Sequence, residues 1–412
     1  MPALASEPAP DLLARDLPPL TADSPALDAL IATIEQGAAQ RELARTLPFE
    51  LVDLVRGSGL GALRIPVSAG GGGASYRELY DVVIRLAAAD ANVAHILRNH
   101  FVFVERYARQ PGDATQARWQ AAVLSGAIVG LANNEPTAKV VGGSPIETIL
   151  RPDGDGFRIS GRKLYSTGTL FSDLVLVRVA DLDGRPASAV IPVDREGIAL
   201  VDDWDGVGQR LTGSGTTVFT DVRIAPDEVV FDTPDLGYGV PYFSTLPQLY
   251  LTAINAGILR GILADARALV KRRERSFFFA PAPVPADDPI LQQVVGEISS
   301  NAFVAEAAIL AAADAQDAIE VLRDAGRPTL EAAHRGAILA AKAKVVVDDL
   351  VIRSGSLLFD VGGASAAHRT LNLDRHWRNA RTLASHNPRL YKARALGQLE
   401  LNGTPLPPSS FF

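Results

Sequence analysis

Asp374-Arg375-His376-Trp377-Arg378-Asn379-Ala380-Arg381, followed shortly by Ser385-His386-Asn387-Pro388, is the stretch on which the reading of this chain turns. It comes after a Gly-Gly turn, Gly362-Gly363, that ends a long helical pattern. The segment therefore reads as a short last helical unit closed by a loop. That loop offers an imidazole and an amide, His386 and Asn387, and no carboxylate. Abstraction of a proton from carbon needs a base within hydrogen-bond reach, so a carboxylate base is not expected here.

Upstream, the pattern falls into three blocks. Residues 1–25 hold six prolines and little periodicity and read as a flexible arm. From 26 to 125 the spacing is helical, with Leu43, Leu47, Leu51, Leu54 and Val55 near one face and with Tyr76–Ala89 and Val93–Tyr107 as two further helices. From 126 to 235 come short β-rich runs such as Leu174–Val177 and Ala189–Pro192, separated by Gly/Asp turns, which suggest an antiparallel barrel or sandwich. From 236 to 412 helical spacing returns in three long stretches and the shorter last unit. The expected fold is α+β: an N-terminal helical domain, a β-domain and a C-terminal four-helix bundle.

Bulk properties narrow the function. The 412 residues include 40 basic and 47 acidic side chains, a net charge of -7, which argues against a nucleic-acid partner. Cysteine is absent, which removes disulfides, thiolate metal sites and a cysteine nucleophile. No His/Asp/Glu spacing suggests a metal site. No uninterrupted apolar run reaches the roughly 18 residues of a membrane span, so no membrane partner is expected, and a cytoplasmic location is the default. No dinucleotide fingerprint is present, which leaves NAD(P)H binding without support.

Three segments carry the chemistry. Residues 131–136 read Leu-Ala-Asn-Asn-Glu-Pro, 161–168 read Gly-Arg-Lys-Leu-Tyr-Ser-Thr-Gly, and 206–224 run from Gly-Val-Gly-Gln-Arg to Asp-Val-Arg-Ile. In this order, between two helical blocks, they resemble the β-domain of the acyl-CoA dehydrogenase superfamily, over roughly residues 30 to 405. The segments Asp202-Asp203-Trp204, Trp377-Arg378-Asn379, His386-Asn387-Pro388 and Tyr391-Lys392 resemble its flavin-dependent monooxygenase branch, the dibenzothiophene monooxygenases above all.

That resemblance implies a two-component enzyme. It would take reduced FMN from a separate flavin reductase (FAD is possible), form a C4a-(hydro)peroxyflavin with O2, and oxygenate a small apolar organosulfur, aromatic or amine substrate. Homotetramers are usual in such families, and desulfurization is one role of the branch. The resemblance makes His386, His100, Thr167 and Asn133 the catalytic candidates. It makes Asn133, Tyr165, Ser166, Thr167, Trp204, Arg275, Gly362, Gly363 and Ser365 the flavin-binding candidates, with Arg275 and the Gly362–Ser365 turn on the phosphate.

Each candidate has a plainer reading. Trp204 is either a ring beside the flavin or a packed tryptophan. Asn133 is routine in a turn. His100 sits among aromatics, as packed histidines do. Lys271–Arg275 also suit the negative end of a helix. His95, His334, His368 and His376 read as surface or structural. The chain departs from the branch pattern at Thr167, where a serine is usual, and at Leu383, where a second histidine is usual. Leu131 stands where a polar residue is usual. Two rivals stay open: an acyl-CoA dehydrogenase or oxidase-type flavoenzyme with its base elsewhere, and a non-catalytic flavin-binding protein. The helix after the β-domain carries Tyr250, Thr252, Asn255 and Gly257 where such a base is expected, which counts against the first.

Overall fold

The computed structural model describes residues 17–137, 140, 145–408 and 412. Most of the proline-rich arm lies outside them. Its last part does not hang free, however: Leu20 is 5% exposed and belongs to the main core.

The N-terminal block is α1 (Pro25–Glu35), α2 (Ala38–Ala44), α3 (Phe49–Ser58), α4 (Tyr76–Ala89), α5 (Ala91–Ile96), α6 (Arg98–Phe103) and α7 (Ala114–Leu124). Local chemistry sets these starts. Ser24 caps α1 with Pro25 at its first position, and Ser75 and Glu78 form a reciprocal capping box on α4. The helix expected over 93–107 is broken. α5 ends before Leu97, α6 restarts at Arg98, and residues 104–108 wind as a π-turn. Such turns re-aim side chains and recur at functional sites.

The β-domain has eight strands: β1 (Val129–Ala132), β2 (Arg151–Asp153), β3 (Gly156–Lys163), β4 (Leu174–Ala180), β5 (Pro186–Pro192), β6 (Ile198–Val201), β7 (Thr216–Ile224) and β8 (Val229–Phe231). They form two four-stranded sheets, ordered β1-β4-β5-β8 and β2-β3-β7-β6. Ile159, Val175, Val177, Ile191, Phe219 and Val222 fill the space between them. One pairing departs from the antiparallel expectation: β1 runs parallel to β4, with Val129 opposite Leu174. The segment from β1 to β4 carries a β-hairpin of the other sheet, so it is long enough to return the chain in parallel.

The C-terminal block is α8 (Thr245–Arg272), α9 (Pro289–Asp324), α10 (Leu330–Gly362), α11 (Asp374–Ser385) and α12 (Arg389–Asn402). Three helices are long, and the fourth member of the bundle is broken at His386-Asn387-Pro388 into α11 and α12. Proline disfavours helical geometry in the residue before it, which stops α11 there. α8 and α9 are each apolar enough over an 18-residue window to cross a membrane, which an uninterrupted run does not reveal. α8 uses that character in the core, where Leu249, Tyr250, Ile254, Ile258 and Ile262 are buried in the main cluster. Gly257 permits this crossing, because a Cβ there would lie 2.5 Å from the Ile84 carbonyl oxygen. α9 by contrast leaves Phe303 72% and Val321 69% exposed.

A buried ionic cluster ties the N-terminal block to the bundle. Arg64, 1% exposed, pairs with Glu105 and with Glu320 of α9 and stacks 4.0 Å over the Tyr76 ring. A second pair, Lys344 and Asp348 at 2.7 Å, lies inside the bundle, with Asn255 of α8 donating to the same carboxylate at 2.9 Å.

Candidate active site

The break between α11 and α12 faces the start of α6 and the loops that follow β3 and β6. Asn379 of α11 accepts the Gln209 backbone N–H at 2.6 Å. Gly208 lets that loop approach, since a Cβ would sit 2.1 Å from the Arg378 carbonyl oxygen. Asn387 donates to Gln248 of α8 at 3.0 Å. The loop and the broken helix are thereby held in one frame.

His386 stands at the exposed rim of this frame. Its Nε2 lies 3.2 Å from Arg98 Nη1. A guanidinium can only donate, so Nε2 accepts and the imidazole is neutral. Burial, discounted for the open edge, and then the charges of Arg98, His95 and Lys344 hold its pKa well below the ordinary value.

Arg98 is oriented from behind. Its Nε and Nη2 both donate to Asn99 Oδ1, at 3.3 and 3.2 Å. Asn99 Nδ2 in turn donates to the Thr167 carbonyl at 2.9 Å. The Thr167 hydroxyl meets Ser214 at 2.7 Å, Ser214 meets Thr212 at 2.6 Å, and Thr212 donates to the Gln209 carbonyl at 2.8 Å. Trp204 Nε1 donates to that same carbonyl at 2.9 Å. Tyr165 stands edge-on to Trp204, ring centres 6.1 Å apart. Tyr165 and Gln209 both hold positive φ, 56° and 52°, a conformation that non-glycine residues adopt at a cost and that clusters at functional sites.

The structure redistributes the histidine roles. His100, expected in the site, is fully buried with both ring nitrogens engaged by backbone. Nδ1 accepts from Val129 N–H at 3.2 Å and Nε2 donates to the Gly61 carbonyl at 2.9 Å. It binds the helical block to β1 and has no valence left for a ligand. His95, read as surface or structural, is 6% exposed and donates through Nδ1 to Gln209 Oε1 at 3.0 Å. Its Nε2 is buried and meets no partner among the described residues. His95, Arg98 and Asn99 stand at i, i+3 and i+4, the spacing that puts side chains on one helical face, and that was the available signal. His376 is structural, 2.8 Å from Asp265 of α8.

Of the other candidates, Thr167, Ser166, Tyr165 and Trp204 come together with His386. Asn133 is exposed just beyond β1. Arg275, Gly362, Gly363 and Ser365 gather elsewhere, at the far end of α8. There Leu269 would touch a Cβ on Gly362 at 3.4 Å, and Arg273 reaches the Val361 carbonyl at 3.4 Å. Arg275 and Ser365 are exposed.

Three buried polar atoms of these loops and of α5 meet no partner among the described residues: Ser166 Oγ, His95 Nε2 and Gln209 Nε2. Buried polar atoms are ordinarily satisfied. Donors and acceptors of this mixed kind, next to an indole, fit a planar heterocycle with polar edges, as a flavin ring is. Among the described residues no cluster of three or more His, Asp or Glu suits a metal ion.

Helices before and after a two-sheet β-domain, with a polar cleft against the broken last helix, define an acyl-CoA dehydrogenase-like flavoprotein fold. Residues 249–388 match the family model for the acyl-CoA dehydrogenase C-terminal domain. The chain is 30% identical to a probable FMNH2-dependent monooxygenase, SfnC, of Pseudomonas putida, over 93% of this chain and 95% of that protein. The structure is similar to TdsC from Paenibacillus sp. A11-2, solved with FMN and indole, at a TM-score of 0.85 and 31% identity over 93% and 98% of the two chains. It is also similar to methanesulfinate monooxygenase MsuC from Pseudomonas fluorescens, at 0.83 and 29% over 94% and 99%. The chain belongs to the acyl-CoA dehydrogenase superfamily, in its branch of FMNH2-dependent monooxygenases.

Proposed function

We propose that this protein takes reduced FMN from a separate reductase, in the cytoplasm, and uses O2 to oxygenate a small organosulfur, aromatic or amine compound. One oxygen atom enters the substrate and the other leaves as water, with FMN returned oxidised. The observation that carries this reading is the set of unpartnered atoms Ser166 Oγ, His95 Nε2 and Gln209 Nε2 beside a His386 held neutral. When bound, reduced flavin supplies the two electrons and the activation of O2. Trp204 and Tyr165 would flank its ring, Ser166 and Thr167 would meet its polar edge, and the walls of α6 and α8 would exclude water. A neutral His386 accepts from Arg98 at Nε2 and carries its own proton at Nδ1.

Rapid mixing of the reduced-FMN complex with oxygenated buffer tests this. Return of the oxidised-flavin absorbance after a lag, shortened by substrate, is the expected result. Immediate single-phase reoxidation, unaffected by any candidate substrate, would overturn it.

The phosphate end supports a second element of the reading. α8 carries Gln248 at the cleft and Arg275 just past its other end, roughly 35 Å apart at about 1.5 Å per residue. One flavin mononucleotide does not span that length. Both ends serve a flavin only when Arg275, with the turn at Gly362, Gly363 and Ser365, receives the phosphate of a flavin held by a neighbouring subunit. We read the exposed apolar residues of α9, Phe303 and Val321, as contacts of such a homotetramer. Arg275→Ala is expected to weaken reduced-FMN binding about tenfold, the loss of one charge-assisted phosphate contact, without altering sedimentation. Unchanged affinity, read by flavin fluorescence, would remove Arg275 from the site.

A further inference from the structure

A file of polar side chains runs through the C-terminal bundle. On α8, Gln248, Thr252 and Asn255 stand at i, i+4 and i+7, which puts them on one helical face. All three are buried, as are Lys344 and Asp348 on α10. Asn255 donates to Asp348 at 2.9 Å, and Lys344 donates to the same carboxylate at 2.7 Å. The Thr252 hydroxyl donates to the Gln248 carbonyl at 3.1 Å, a bond within α8 that leaves the Gln248 side chain for another partner. That partner is Asn387, also buried, whose amide donates to Gln248 Oε1 at 3.0 Å. Buried polar networks that find their partners fix which residue meets which.

Asn387 is where the last bundle helix breaks. His386 still holds helical dihedrals, φ -57° and ψ -36°, and its N–H donates to the Leu383 carbonyl at 3.2 Å. Pro388, at φ -61° and ψ 120°, is already extended, and α12 begins at Arg389. The chain therefore turns within two residues, and the side chain of the first is bonded inward to Gln248. Gln248 is itself well fixed. Its neighbours Leu249 and Tyr250 are fully buried, and the Tyr250 hydroxyl donates to the Ala94 carbonyl of α5 at 3.1 Å. His386 is thus steadied from two sides. Arg98 meets its Nε2 at 3.2 Å from α6, on a long side chain that can follow the ring. The Asn387–Gln248 bond instead anchors the adjacent residue to a buried helix, and so sets where the ring begins.

We propose that Gln248 is a positioning residue for the reaction: through Asn387 it sets where the His386 imidazole stands at the cleft. It acts through His386 and not on the flavin. The proposal rests on the monooxygenase reading of His386 for its effect on the reaction, and on the Asn387 contact alone for its effect on the imidazole. The contact needs an acceptor oxygen at this place, so a carboxylate keeps it and an apolar side chain removes it.

The test compares Gln248→Leu, Gln248→Glu and Asn387→Leu with the unaltered protein, and adds Gln248→Leu to His386→Ala. The first measurement is the rate at which oxidised-flavin absorbance returns when the reduced-FMN complex meets oxygenated buffer, with no substrate present. Gln248→Leu and Asn387→Leu should each raise that rate about tenfold, the scale of a small misplacement of a working group. Gln248→Glu should stay near the unaltered rate, and Gln248→Leu should add nothing in the His386→Ala background. A further rise in that background overturns the proposal, because Gln248 would then act by another route. Equal changes in Gln248→Leu and Gln248→Glu would mark a packing role and overturn it too. The second measurement needs no turnover: carbethoxylation of His386 by diethyl pyrocarbonate, read by peptide mass spectrometry. Its rate should rise about twofold or more in both leucine variants, the scale of one lost hydrogen bond. An unchanged rate in both overturns the proposal. Should Gln248→Leu fail to fold, Asn387→Leu carries the same expectations from the other side of the bond. Should the unaltered protein show no lag at all, the oxygenase reading falls, and the carbethoxylation rates still decide the positioning.

Discussion

Replacing His386 by alanine is expected to lower product formed per reduced flavin oxidised about 100-fold, the scale of a lost positioned acid–base group. Reduced FMN should still bind, because Ser166, Thr167, Trp204 and Tyr165 belong to the β-domain loops, and the substitution leaves the Asn379–Gln209 contact that ties those loops to α11 in place. Oxygen should still be consumed and should appear as hydrogen peroxide. His386 stands where α11 ends, with its Nε2 held by Arg98 at 3.2 Å. Alanine there would remove the proposed proton carrier and open the guanidinium to water. Assaying product and hydrogen peroxide together decides the matter: full product yield from the variant would end the proposed role.

The second large effect is on stability in acid. His95, His100 and His376 are buried and neutral in the folded chain. Burial lowers their pKa from an ordinary 6.5 to about 3, about 4 and about 4 respectively. A depressed folded pKa means that unfolding takes up protons below 6.5. The stability is therefore fully present above about pH 6.5 and is lost as the pH falls toward 4. Glu320 acts in the opposite sense, since burial raises its carboxyl to about 7. Three histidines less one carboxylate leave a net uptake of about two protons, or about 3 kcal/mol per pH unit. Denaturant midpoints measured from pH 7.5 to 5 should fall steeply over this window. A flat profile would show that these histidines charge inside the fold. His386 is left out of the sum because its edge is exposed.

Much of the architecture could be read from the chain before the structure. Gly/Asp turns punctuate the β-rich runs, and long alanine-rich periodicity marks α9 and α10, so the order of blocks follows from spacing. The parallel β1–β4 pairing could not be read, because nothing in Val129–Ala132 records which strand lies beside it. The site was legible in part. Tyr165, Ser166, Thr167 and Trp204 stand in recognisable segments, and His386 stands in a recognisable loop. The exchange of His100 for His95 was hidden because the two lie five residues apart on a run that reads as one helix. The interruption at Leu97 and the backbone groups of Gly61 and Val129 decide which imidazole is consumed. Arg98 was missed for a related reason: its contact with His386, 288 residues away, is a property of the packed molecule that spacing does not show.

The length of α8 bears on the proposed assembly. If the ring end and the phosphate end of the flavin are served by different copies, as proposed, an Arg275 lesion and a His386 lesion would damage different halves of a shared centre. Two inactive proteins produced in one cell would then restore a fraction of each other's turnover, because some assemblies pair an intact Arg275 with an intact His386. Loss-of-function alleles at the two ends of this helix would complement, whereas two alleles at the same end would not.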